Sequence, residues 1–215
     1  GVLILLAFFG FAFMHSLVAG RGVKDRLKPI LGERFVEGWY RLAYNLFAAV
    51  TILPVFALVV LLPDRLLYAV AMPWSLIMRG VQALGVIGLV GVLFVTDVWD
   101  FAGLKQAAAY LTGESLPVPA PPLQEKGMYR LVRHPLYFFT LVAIWPSPSL
   151  TVNTLFLNIG VTLYIVIGSL IEERRLERTY GDAYRNYRRR VSWLIPLPPH
   201  CDGDAAIQGT PELGR

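Results

Sequence analysis

The 215-residue chain has a single cysteine, Cys201, close to its end. One cysteine excludes a disulfide framework and a CxxC metal site. Charge is scarce as well: 16% of residues are charged, against about a quarter in an ordinary soluble domain. The chain has no Gly-rich dinucleotide fingerprint, no internal repeat and no residue pattern that suggests a metal. What it has in excess is apolar sequence, 55% of residues, with a mean hydropathy of +0.53. These residues gather into long runs, the pattern of an integral membrane protein. The expected fold is all-α, a polytopic membrane helical bundle. The net charge is +5, but the basic residues fall between the runs. They are topology signals, not a nucleic-acid footprint.

Five membrane segments are expected. The first, about 2–19, lacks a basic leader and a small-x-small cleavage site, so it is expected to be a span and not a signal peptide. The second covers about 40–62 with a kink at Pro54. The third, about 76–96, is rich in glycine that allows close helix packing. The fifth covers about 150–171. The fourth, "PLYFFTLVAIW" at 135–145, spans only about 17 Å as a helix, too short for a hydrocarbon core of about 30 Å. "PSPSL" follows it, so segments four and five are expected to form a tight hairpin, with segment four only partly helical across the bilayer. Residues 1–195 are expected to form one domain. The segment 113–126 reads as a Pro-rich loop, and the tail 196–215 as disordered.

Basic and non-basic connections alternate. Loops 20–39 and 97–134 and the region after segment five are rich in Lys and Arg, whereas loop 63–75 carries only Arg65 and the 146–149 turn has none. The positive-inside rule then predicts an outside N-terminus and a cytoplasmic C-terminus in a bacterial inner membrane.

Two basic clusters fall on the predicted cytoplasmic side. One is "GMYRLVRHPLY", with Gly127, Tyr129, Arg133, His134 and Tyr137. Pro135 suits the first position of a helix, whose free first-turn N–H groups form a small anion site. The other is "EERRLERTYGDAYRNYRRR", beginning at Glu172 and Glu173. Tyr180, Tyr184 and Tyr187 share one face there if the helix passes Gly181 unbroken. Each feature has a plain structural reading. Arginines fix topology, tyrosines form an interfacial belt, a His before Pro caps a helix, and the glutamates pair with Arg174, Arg175 or Arg178. Brought together by the hairpin, the same residues can surround one polar ligand at the membrane boundary. His15, inside the first span, is a separate functional candidate, because ionisable groups are costly there; its plain reading is a hydrogen bond between helices.

"RHPLY", a hydrophobic hairpin and "EERRLERTYGDAYRNYRRRV" together resemble the integral membrane methyltransferase superfamily. That superfamily includes isoprenylcysteine carboxyl methyltransferases, phospholipid methyltransferases and methanethiol S-methyltransferases. The likeness covers about 127–191. "DFAGLKQ" at 100–106 resembles the thiol methyltransferases, and the N-terminal half is more similar to NnrU-like membrane proteins. The resemblance implies S-adenosyl-L-methionine as cofactor, bound on the cytoplasmic side by Gly127, Tyr129, His134, Tyr137, Glu172, Glu173, Tyr184 and Tyr187. It implies catalytic roles for Arg133 and Glu173, and a methyl acceptor that is small or lipophilic, a thiol in preference, reaching the site from membrane lipid. Phe138 and Phe139 depart from the family, where a glycine often follows the motif tyrosine. Two alternatives stay open at this stage. One is a non-enzymatic NnrU-like protein linked to nitrogen-oxide metabolism; the other is a sterol-type membrane reductase using NADPH.

Overall fold

The computed structural model describes residues 1–119 and 121–197. Of the tail expected to be disordered, residues 198–215, Cys201 among them, lie outside the described residues. The elements in chain order are α1 (Val2–Ala19), α2 (Arg21–Leu31), α3 (Glu33–Leu61), β1 (Leu66–Ala69), α4 (Trp74–Val95), α5 (Val98–Ala102), α6 (Leu104–Thr112), α7 (Pro135–Ile144), β2 (Ser149–Thr151), α8 (Val152–Tyr180) and α9 (Asp182–Arg190). A 3-10 turn at Gly127–Arg130 precedes α7.

Four helices, α1, α3, α4 and α8, are long and apolar enough to cross a membrane, and α7 is a shorter apolar helix. These are the five expected segments, and the protein is an all-α integral membrane bundle. α3 begins ahead of the apolar run, and α8 continues beyond Ile171 as a charged extension. Large apolar side chains face outward along the spans; Val60 and Phe94 are 81% and 77% exposed. In water that pattern would be ruinous, but hydrocarbon solvates such residues as well as a core does.

Without a hydrophobic force between helices, contact depends on close approach. α1 packs against α3 and α8 around Ile4, Phe8, Ala12 and Val55. α7 packs along α4, where the glycines of the third span are used. A Cβ at Gly85 would lie 2.6 Å from the Ala143 backbone nitrogen, and one at Gly88 would overlap the Phe139 ring. Phe139 is therefore a packing residue against α4. The hairpin expected between α7 and α8 is joined at its turn, where Asn158 Nδ2 donates to Ile144 O at 3.1 Å and Trp145 Nε1 to Thr162 Oγ1 at 3.0 Å. Between that turn and the basic end α7 packs along α4 instead, so the hairpin is not tight.

On the side away from the basic clusters, β1 and β2 pair antiparallel, with Tyr68 opposite Leu150 and Ala69 opposite Ser149. The sequence reading expected only loop and turn there. Asn153 ties the start of α8 to the end of α3, its Nδ2 donating to Val59 O and Leu62 O at 3.3 and 3.2 Å. On the basic side, α2 is pinned to α3 by Lys24 and Lys28, which lie 2.6 and 2.9 Å from the Glu37 carboxylate.

Candidate functional site

The two basic-side clusters meet where α7 begins and the extension of α8 ends. Pro135 takes the first position of α7, where its missing N–H costs nothing. The dipeptide before it is held by the chain that follows α9: Arg133 N donates to Ser192 O at 2.8 Å, and His134 N to Trp193 O at 3.3 Å. Gly181 separates α8 from α9 with φ of +54°, a conformation that suits glycine. The helix therefore does not continue past it. Tyr184 and Tyr187 turn inward on α9 and are buried, whereas Tyr180 bonds outward to Pro121 O at 2.8 Å. The three tyrosines do not share a face.

Glu173 is the hub. Its Oε1 accepts from Arg133 Nε at 2.8 Å, His134 Nε2 at 2.9 Å and Tyr184 Oη at 2.7 Å, and its Oε2 accepts from Arg133 Nη2 at 3.0 Å. Arg188 Nε lies 3.7 Å from the same carboxylate. An ionised carboxylate only accepts, so His134 carries its proton on Nε2 in this contact. Arg133 also donates to Val191 O at 2.7 Å, which locks α9's exit to the start of α7. Both the Arg133 and Glu173 side chains are 9% exposed. The recorded partners of Glu173 come from α7's approach and α9, not from Arg174, Arg175 or Arg178 on its own helix. Burial pushes the Tyr184 phenol well above the ordinary tyrosine range, and its bond to Glu173 adds to the effect. Burial does the same for Tyr187, whose hydroxyl donates to Tyr129 O at 2.7 Å.

Glu172 is placed differently. Its side chain is 44% exposed, and it accepts from Tyr137 Oη at 3.0 Å. His134 Nδ1 lies 3.6 Å from it, and the His134 and Tyr137 rings stack 5.5 Å apart. The Tyr129 hydroxyl sits 3.4 Å from Thr96 Oγ1 at the end of α4. Burial raises its pKa, the Thr96 contact opposes this, and the charge of Glu172 adds to the rise. Gly127 opens the turn that presents Tyr129. Every site residue named from the sequence therefore lies at this junction, but in two roles. Glu173, Arg133, Tyr184 and Tyr187 are turned inward, while Glu172 keeps a part-exposed carboxylate that Tyr137 bonds.

Sequence reasoning missed the partners that lie far along the chain. Arg41 Nη1 donates to Asp100 Oδ2 at 2.7 Å, and Gln106 Nε2 to Asp100 Oδ1 at 2.6 Å. "DFAGLKQ" is therefore a knot that ties α5 and α6 to α3. Lys105 pairs with Asp97 in the same knot. Among the described residues no group of three or more His, Cys, Asp or Glu residues is placed to hold a metal.

The family model described as "Protein of unknown function (DUF1295)" matches residues 33–191. This chain belongs to the DUF1295 family. The matched range takes in α3 through α9 and so the whole junction. Among curated proteins, a methanethiol S-methyltransferase of Mycobacterium tuberculosis is 34% identical over 204 residues, covering 92% of this chain and 79% of the relative. Methanethiol S-methyltransferase 1 of Bradyrhizobium diazoefficiens is 31% identical over 194 residues, with 90% and 65% covered. The Pseudomonas deceptionensis methanethiol S-methyltransferase is 29% identical over 190 residues, with 86% and 69% covered. The chain thus spans about two thirds of the length of the latter two. The resemblance read from the motifs holds, and it extends into the N-terminal half. No solved structure matches the chain.

Proposed function

We propose that this DUF1295 protein is a membrane methyltransferase that moves a methyl group from S-adenosylmethionine to a small or lipophilic thiol at the cytoplasmic face, with its N-terminus outside and its C-terminus inside. The observation that carries this is the contrast between two adjacent glutamates. Glu173 is saturated by four hydrogen bonds from the protein, whereas Glu172 keeps an exposed carboxylate beside Tyr137 and the start of α7. That pairing offers both signs of recognition in one place.

The residues fit the cofactor. S-adenosylmethionine bears a carboxylate, an ammonium, a sulfonium and an aromatic base. The first-turn amides of α7 suit the carboxylate. Glu172 suits the cationic groups, and the rings of Tyr129 and Tyr137 suit the base or the sulfonium. When bound, the cofactor supplies an electrophilic methyl group. The chain's own work is alignment and exclusion of water, which in-line displacement mainly needs. Glu173 serves this by fixing Arg133 and His134 and by tying α7 to α9. The names of the relatives favour a thiol acceptor. Physically, a thiol attacks as its thiolate, so the acceptor's proton has to leave before or during methyl transfer.

The test is binding and turnover on detergent-purified protein. S-adenosylhomocysteine is expected to bind, NADPH is not, and labelled methyl is expected to reach methanethiol or a longer alkanethiol. Binding of NADPH alone would favour the reductase reading, and methylation confined to phosphatidylethanolamine would overturn the thiol. Binding of neither nucleotide with no turnover would return the chain to the non-enzymatic class.

A further inference from the structure

A second polar cluster lies deeper in the bundle, and the site above leaves it unused. His15 of α1 sits between two phenols from other helices. Tyr44 Oη of α3 is 2.5 Å from its Nε2, and Tyr164 Oη of α8 is 2.7 Å from its Nδ1. Aromatic rings shelve the cluster, with Phe11 5.4 Å from the imidazole and Phe8 6.2 Å from Tyr164, centroid to centroid. Tyr164 precedes Glu172 by eight residues, about 12 Å along α8. Tyr137 of α7 in turn bonds Glu172. Glu172 and Tyr164 thus lie on one helix, on the way from the basic end to His15.

Counting protons decides what the cluster can do. A neutral imidazole has one N–H and one lone pair. One phenol must therefore donate to His15 and the other must accept from it. Among the described residues neither phenol donates to any other recorded acceptor. The Ser16 hydroxyl also approaches Tyr164, but as a donor it does not use up the phenol's proton. The accepting phenol consequently keeps a free O–H. The donating phenol keeps free lone pairs and a proton already aimed at nitrogen.

We infer that the His15–Tyr44–Tyr164 cluster is the acceptor subsite, where the thiol gives up its proton to His15 through the donating phenol and the free O–H of the other phenol stabilises the thiolate. This rests on the methyl-transfer reading above. In balance, the S–H bond breaks as an O–H bond forms on the donating phenol, and that phenol's original proton forms the second N–H of an imidazolium. The thiolate's electron pair then makes the new S–CH3 bond, while the pair of the broken bond stays with the donor sulfur. The imidazolium later releases its proton to solvent. The titratable groups in contact with His15 are Tyr44 from α3 and Tyr164 from α8. Tyr40, the next tyrosine on α3, is tied instead to Val18 O at 2.6 Å.

The test is His15→Gln, with Tyr44→Phe as a second variant. Glutamine keeps a donor and an acceptor for the phenols but takes no proton. His15→Gln is expected to fold and to bind S-adenosylhomocysteine like the parent. With an alkanethiol its methylation rate should fall about 100-fold, the usual scale of general-base catalysis. With an arenethiol that is already ionised at the assay pH, it should keep most of its rate. Independently of turnover, alkanethiol added to the S-adenosylhomocysteine complex should produce thiolate ultraviolet absorbance in the parent and none in the variant. Tyr44→Phe removes one of the two phenols and should also lower the alkanethiol rate while leaving nucleotide binding unchanged. Equal losses on both thiols in His15→Gln, or undiminished thiolate absorbance in that variant, would leave the cluster as a helix-to-helix contact and overturn the inference. A parent that binds the nucleotide but methylates neither thiol would overturn the thiol reading itself, and the subsite with it.

Discussion

Replacing each glutamate of the adjacent pair by glutamine separates architecture from recognition. In Glu173→Gln the amide oxygen can occupy the Oε1 position and keep its bonds from Arg133 Nε, His134 and Tyr184. The amide nitrogen must then face Arg133 Nη2, which now donates to Oε2 at 3.0 Å. A charge-assisted bond becomes a donor–donor contact, and the buried guanidinium loses its counter-charge. One hydrogen bond to a charged group contributes about 1.5–3 kcal/mol. In a chain of this size that corresponds to a fall of about 3–12 °C in Tm. Glu172→Gln removes a 44% exposed carboxylate whose protein hydrogen bond comes from Tyr137. A substitution of that kind costs within about 0.5 kcal/mol. Its effect should appear in binding instead, as a loss of about tenfold in S-adenosylhomocysteine affinity, or about 1.4 kcal/mol. Thermal unfolding in detergent and calorimetric titration of the nucleotide measure the two quantities. The reasoning fails if Glu172→Gln lowers Tm as much as Glu173→Gln does, or if Glu172→Gln binds the nucleotide like the parent.

Two further outcomes follow from the fold. Gly85→Leu should lower stability by about 1–3 kcal/mol through overpacking, because its Cβ would meet the α7 backbone. It should also weaken nucleotide binding, whereas Gly80→Leu, with nothing within 4 Å, should do neither; equal effects in a thermal-shift series would refute the close α4–α7 contact. Reporter fusions after residues 35, 115 and 195 should signal a cytoplasmic location and a fusion after residue 68 an external one, since the basic segments all lie on one side. An external signal at 115 would invert the proposed site.

The spans were legible because lipid imposes a composition, and runs of apolar residues leave few alternatives. The start of α7 at Pro135 was legible for a local reason, a missing N–H, whereas the sequence left open whether the helix passes Gly181, which the structure breaks at a positive φ. Where the helices would lean was not legible. A tight α7–α8 hairpin was the natural expectation from sequence adjacency. Gly85 and Gly88 instead let α7 settle on α4, and close approach outranks a short connection when no hydrophobic force joins helices. The β1–β2 pair was hidden for a related reason. Pro146 and Pro148 precede β2, and each strand is only three or four residues long, too short for alternation to show.

The site divides along the same line. Motif spacing brought forward Arg133, His134, Glu172 and Glu173, which are neighbours in pairs along the chain. It could not say which glutamate is spent on the protein and which is left open, because that depends on Arg133, His134 and Tyr184 all choosing Glu173. Nor could it give His15 its partners, since Tyr44 and Tyr164 are 29 and 149 residues away. Once those contacts are fixed, the departure at Phe138 and Phe139 takes on a different meaning. Phe139 is taken up by Gly88 and Phe138 lies edge-on to it, their ring centroids 5.0 Å apart. The bulk at these positions therefore braces α7 on α4. It does so on the helix that carries Tyr137, whose hydroxyl donates to Glu172. With α7 braced on α4 instead of α8, Leu141 of α7 and Thr162 and Val166 of α8 line a cavity together with the chain that follows α9.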